Sequence, residues 1–170
     1  MQRLKLISNQ RNLLLIFLLF VPSAHADVRM AILNFELKDL TLAPGTEAEL
    51  ERTASIAPLL RNELEKKYGY QIIAIGSHIQ EKADVSVGYL FGHADVAADL
   101  CKQHGADWIV AGRLHKPSFL FAYIIAHLTN CNTKKPAGNY TIEVKGYAKN
   151  LTARGVENLA IKINQSIHTE

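Results

Sequence analysis

The sequence predicts a single α/β (α+β) domain of three helices on a mixed five-stranded sheet, in the order β-α-β-α-β-β-β-α. Three observations predict it. Apolar runs of strand length alternate with helix-periodic segments through the first two thirds, a pattern that favours parallel pairing through crossovers. The next strands follow one another across short turn-rich stretches, which favours antiparallel hairpins. An amphipathic helix closes the chain.

Residues 1–26 precede this domain and read as a signal peptide. Arg3, Lys5 and Arg11 make a basic start, Leu13 to Val21 is a continuous apolar run, and Ala24-His25-Ala26 fits an A-x-A cleavage site after Pro22-Ser23. The run is too short to span a bilayer. No lipid-modified cysteine follows it, so the expected product begins at Asp27, occupies 27–170, and is soluble in the bacterial periplasm or secreted, with no stable membrane anchor. The +3 net charge belongs to this leader. Removing its three bases leaves 19 − 3 = 16 Lys+Arg against 16 Asp+Glu. A neutral chain argues against nucleic acid as a partner.

The first strand is read from Val28 to Leu37 (VRMAILNFEL), apolar on both faces and therefore central. Thr46, followed by Glu47 and Glu49 in the first turn, is a candidate N-cap of a helix running to Tyr68, with Leu50, Ala54, Ala57, Leu60 (or Leu59), Leu64 and Tyr68 on its apolar face. Pro58 is expected to kink or divide it, and Gly69 to stop it. Gln71–Ile75 is a second strand, and 76–92 a long connection ending in Tyr89-Leu90-Phe91-Gly92. Asp95–His104 is a short helix with Ala94, Ala97, Ala98 and Cys101 inward. Asp107–His115 and Phe119–Asn130 are strands three and four, and 130–139 is a loop. Tyr140–Lys149 alternates cleanly as strand five. Val156, Leu159, Ala160, Ile163 and Ile167 mark the last helix.

The strand AILNFEL, the phrase Gly105 to Ser118 (GADWIVAGRLHKPS) and the stretch Lys145 to Val156 resemble a bacterial family of predicted secreted proteins of unknown function. The helix, GAD-strand and hairpin succession is more loosely similar to the amino-terminal domain of TolB and to CsgG-type periplasmic domains. The resemblance implies a TolB-like fold and protein partners at the cell envelope. It carries over no catalytic residue.

No catalytic motif is present: there is no G-x-S-x-G, S-x-x-K or P-loop. The histidines form no ligand spacing and no C-x-x-C exists, so neither metal nor cofactor is expected. Cys101 and Cys131 are either a disulfide, which an oxidising compartment permits, or two separate thiols. Glu36, Asp39, Lys116 and Ser118 fall near strand ends, where a sheet can gather them into a polar rim for a small ligand. Ordinary turn and cap chemistry is the competing reading of those four. The fourth strand presents Leu120, Ala122, Ile124, Ala126 and Leu128 on one face and Phe119, Phe121, Tyr123 and Ile125 on the other. Its neighbour has a wet face, so the aromatic ladder is either partly exposed, as a surface for an envelope protein or a second copy of the chain, or covered by a helix or by the 76–92 connection. Tyr89 and Phe91 are either its cover or part of it.

Overall fold

The computed structural model describes residues 28–145 and 149–169. The sheet has six strands: β1 (Arg29–Ile32), β2 (Glu36–Asp39), β3 (Gln71–Ile73), β4 (Trp108–Lys116), β5 (Phe121–Asn130) and β6 (Pro136–Lys145). Among the described residues five helices accompany them: α1 (Glu47–Tyr68), α2 (Ser77–Ala83), α3 (Tyr89–Gly92), α4 (Ala94–Gln103) and α5 (Lys149–Ile167). The spatial order is β3-β1-β4-β5-β6, with β2 also paired to β4. Pairing is parallel among β3, β1, β4 and β2 and antiparallel from β4 through β6, so the sheet is mixed as expected.

The element counts exceed the expectation of five strands and three helices, for local reasons. The expected first strand is interrupted at residues 33–35, where Asn34 N donates to Gln80 Oε1 of α2. β1 and β2 therefore lie end to end along β4. Phe35 crosses over Gly112, and a Cβ at that glycine would collide with its ring. The stretch 76–92 is not an open connection, because α2 and α3 lie within it. The fourth strand starts at Phe121 rather than Phe119, β6 starts at Pro136 rather than Tyr140, and α5 starts at Lys149. The expected strand positions 146–148 lie outside the described residues.

Two cores sandwich the sheet. The larger packs α1 and α5 onto Met30, Ile32, Val110, Leu114, Ile124, Leu128, Ile142 and Val144. The smaller packs α3 and α4 onto Ala31, Leu33, Ile109 and Ala111. It also contains Cys101 and Cys131, which are joined by a disulfide with Cα atoms 5.9 Å apart.

The helix α1 runs unbroken through Pro58. Pro58 and Ala54 are both exposed, so the carbonyl that the missing N–H leaves free lies on the solvent side of the helix. The buried stripe is Glu49, Thr53, Ile56, Ala57, Leu60 and Leu64, while Leu50 and Ala54 face solvent. Gly69 ends the helix at φ 70°, its N–H donating to Glu65 O, as a left-handed cap requires.

Candidate functional site

Alternation along β4, β5 and β6 sends every second side chain away from α1 and α5. On that far face α3 and α4 cover only part of the sheet. Phe91 of α3 marks their limit: its ring stacks on His127, centroids 4.1 Å apart, and lies 3.6 Å beneath the Arg113 guanidinium. Phe91 is thus a cover, not part of an exposed patch, while Tyr89 stacks on His93. Burial holds the His127 pKa below its ordinary value and the nearby Arg113 charge adds to this, against a hydrogen bond with the Phe91 carbonyl.

Past Phe91 the sheet face is bare of helices among the described residues. Register places Glu36, Arg113, Ile125 and Thr141 in one cross-strand row, and Lys38, His115, Tyr123 and Glu143 in the next. Phe121 pairs with Lys145 in a third. Tyr123 and Ile125 are half-buried and join neither core, and Phe121 is exposed. The sequence ladder is therefore three residues of one face. Phe119 lies outside it, in the turn between β4 and β5, with its ring 5.6 Å from Lys116 Nζ.

The four residues of the expected polar rim are parted by the same alternation. Glu36 points to the bare face and pairs with Arg113. Its pKa is raised, by burial first and by the charge of Asp84, against the pull of Arg113. Ser118 Oγ accepts weak bonds from Leu120 N and Phe121 N, 3.3 Å each, and shapes the turn. Only Asp39 and Lys116 come together, on the opposite face. Lys116 Nζ lies 3.7 Å from Asp39 Oδ2 and 3.1 Å from Glu49 Oε1. Arg52 completes this cluster, 3.5 Å from Glu49 Oε2 and donating from Nε to Thr152 Oγ1 of α5 at 2.9 Å. All four charged side chains are at most 8% exposed. Burial raises the Asp39 pKa, but bonds from Thr41 N, Thr41 Oγ1 and Gly45 N, with the Lys116 charge, leave it lowered on balance.

Sequence reasoning did not single out Glu49 or Arg52 as site residues. A signal was available. Glu49, Thr53, Ile56, Leu60 and Leu64 keep helical spacing, so the apolar stripe points back at the glutamate.

Cavities beside these groups are small. The crevice lined by Asn34, Glu36, Gln80, Asp84 and Phe91 holds about 20 Å³, room for roughly one water. The one between Glu49, Arg52, Lys116 and the turn at Phe119 holds none. Organic ligands occupy pockets of about 300 Å³ and more. Among the described residues no three His, Cys, Asp or Glu side chains gather as metal ligands. No described helix is long and apolar enough to cross a membrane.

The fold and this face define a mixed α/β domain that is helix-covered on one side and partly bare on the other. The chain belongs to the family DUF3280, described as "Protein of unknown function (DUF2380)", whose model matches residues 28–163. Among solved structures it is similar to the C-terminal domain of LpoB from Salmonella enterica, at 12% identity and a TM-score of 0.50, over 72% of this chain and 86% of that one. It is also similar to the lipoprotein GNA1162 from Neisseria meningitidis, at 14% identity and a TM-score of 0.48, over 81% and 96%. TolB from Acinetobacter baumannii aligns at 12% identity and a TM-score of 0.43, over 84% of this chain and 27% of that one. At such identities the likeness to the LpoB domain speaks for the fold alone. No curated protein matches the sequence.

Proposed function

We propose that this chain is a non-catalytic periplasmic module that binds another envelope protein on its bare sheet face. The observation that carries the reading is the position of Phe121, Tyr123 and Ile125. They are aligned on one face of β5, belong to neither core and, among the described residues, have no helix over them. Lys38, Glu143 and Lys145, their cross-strand neighbours, surround them with exposed charge. An aromatic centre inside a polar rim is the usual anatomy of a protein interface. A small-molecule or sensory role needs Glu36, Asp39, Lys116 and Ser118 in one rim, and only two of them meet.

The test is Phe121→Asp. At 38% exposure its replacement costs the fold little, about 1 kcal/mol or less. The variant is expected to keep the wild-type circular dichroism and thermal midpoint while losing a stoichiometric partner in affinity capture from the envelope fraction. Retention of that partner, or unfolding of the variant, contradicts the reading. A second copy of the chain as partner would show instead as a dimer in sedimentation, lost in the same variant.

A further inference from the structure

The sheet divides two cores of unequal make-up. On one side α1 and α5 bury Ile56, Leu60, Leu64, Val156, Leu159 and Ile163. On the other side the cover is thinner: α3 buries only Leu90, and α4 buries Ala97, Ala98, Leu100 and Cys101. Packing stabilises in proportion to the apolar area it buries, so this cover adheres less by packing alone. Its ion pair with the β5–β6 turn, Asp99 with Lys134, is half exposed on both sides and adds little. The strong tie is covalent. Cys131 is held at the end of the sheet, its N–H donating to Asp107 O at 2.8 Å, and its sulfur is bonded to that of Cys101 in α4. We infer that the Cys101–Cys131 bridge is a redox latch, whose reduction releases α3 and α4 from the sheet as one unit while the strands, α1 and α5 stay folded.

The unit has a joint at each end. Gly88 precedes α3 at φ 79°, and Gly105 follows α4 at φ 76°, where a Cβ would meet nothing within 4 Å. The neighbouring α2 is tied separately, since Gln80 exchanges two hydrogen bonds with the Asn34 backbone. Cys101 lies four residues before Gly105, so the bridge pins α4 beside its joint. With the bridge open the joint alone remains there, and α4 is free to pivot. Opening consumes a dithiol: the Sγ–Sγ bond breaks, two electrons and two protons make two thiols, and the dithiol becomes its own disulfide. Both cysteines are fully buried, so the reductant reaches them only as the cover lifts. Release uncovers Ile109, Ala111 and His127, next to Arg113 and Ile125, and so lengthens the bare face along β4 and β5. An oxidising compartment keeps the latch closed and the face short. The inference stands apart from the docking reading, because it concerns the covered part of this side and holds whether or not a partner binds.

The experiment is hydrogen exchange read by mass spectrometry on the full chain, oxidised and after reduction with dithiothreitol in urea followed by removal of the urea. Amides of 89–104 are expected to lose about tenfold or more protection beyond any loss in α1 and α5. Cys101→Ala with Cys131→Ala should show the same pattern with and without dithiothreitol, which assigns the effect to the bridge. Protection of 89–104 that survives reduction overturns the proposal, because packing alone then holds the cover. Loss of equal size in α1, α5 and 89–104 overturns it too, because the bridge then secures the whole domain rather than its cover. If the double variant does not fold, the reduced wild-type chain decides between these outcomes.

Discussion

Replacing Lys116 by Met keeps much of the side-chain volume and removes one base from a buried cluster of two bases and two acids. The two acids do not suffer equally. Asp39 keeps three bonds, from Thr41 N, Thr41 Oγ1 and Gly45 N at 2.7–3.2 Å. Glu49, fully buried, keeps only the Arg52 guanidinium at 3.5 Å. The loss therefore falls on a carboxylate with no route to water, and breaking one side of such a pair costs about 3–5 kcal/mol. For a domain of this size that lowers the thermal midpoint by about 10–15 °C. The assay is urea and thermal unfolding followed by circular dichroism. Lys116→Met with Glu49→Leu should recover about 2 kcal/mol or more of the loss, because the stranded charge is gone. A loss below about 1 kcal/mol in the single variant, or additive losses in the double, would refute the claim that Lys116 neutralises Glu49.

Opening the Cys101–Cys131 bridge, whose partners are 30 residues apart, should cost about 3–4 kcal/mol, read as a lower thermal midpoint in reductant or in a double Ala variant. Gly112→Ala should cost about 1–3 kcal/mol by driving a methyl into the Phe35 ring, and Phe35→Leu in the same chain should return part of it, as measured by urea unfolding. His127 titrates lower in the folded chain than its ordinary value, because of burial first and then Arg113. Below its unfolded pKa of about 6.5 the unfolded chain binds a proton that the folded one resists, so stability falls as pH drops from about 7 to 5. His127→Gln should remove that part of the slope in thermal midpoints measured across the range.

The elements that were legible in the sequence are those whose burial follows a regular period. The alternation at Tyr140, Ile142 and Val144 and the spacing of Val156, Leu159, Ala160 and Ile163 correspond to buried positions in β6 and α5. What was hidden lacks such a signal. No residue of α2 is buried, so it carries no apolar stripe and reads as loop. The first residues of β6 pair with β5 across an irregularity at Leu128/Thr129, in a Pro- and Gly-containing stretch that resembles a turn. The α1 face was misplaced toward Leu50 because an acid at Glu49 reads as solvated until its distant base, Lys116, is known. The polar rim failed for a related reason. Glu36 and Asp39 are three residues apart in an extended strand, which places them on opposite faces. The same alternation made the Phe121, Tyr123 and Ile125 face readable, and the turn before β5 removed Phe119 from it.

The central claim, that the bare face of β5 docks an envelope protein, is tested most directly by photo-crosslinking in the living cell. A photoreactive side chain placed at Tyr123, in the centre of that face, is compared with one at Glu65 on the exposed side of α1. The expected result is one discrete cross-linked species from position 123, absent at 65 and lost when Phe121→Asp is added. A position 123 that yields no species, or the same species as position 65, contradicts the account.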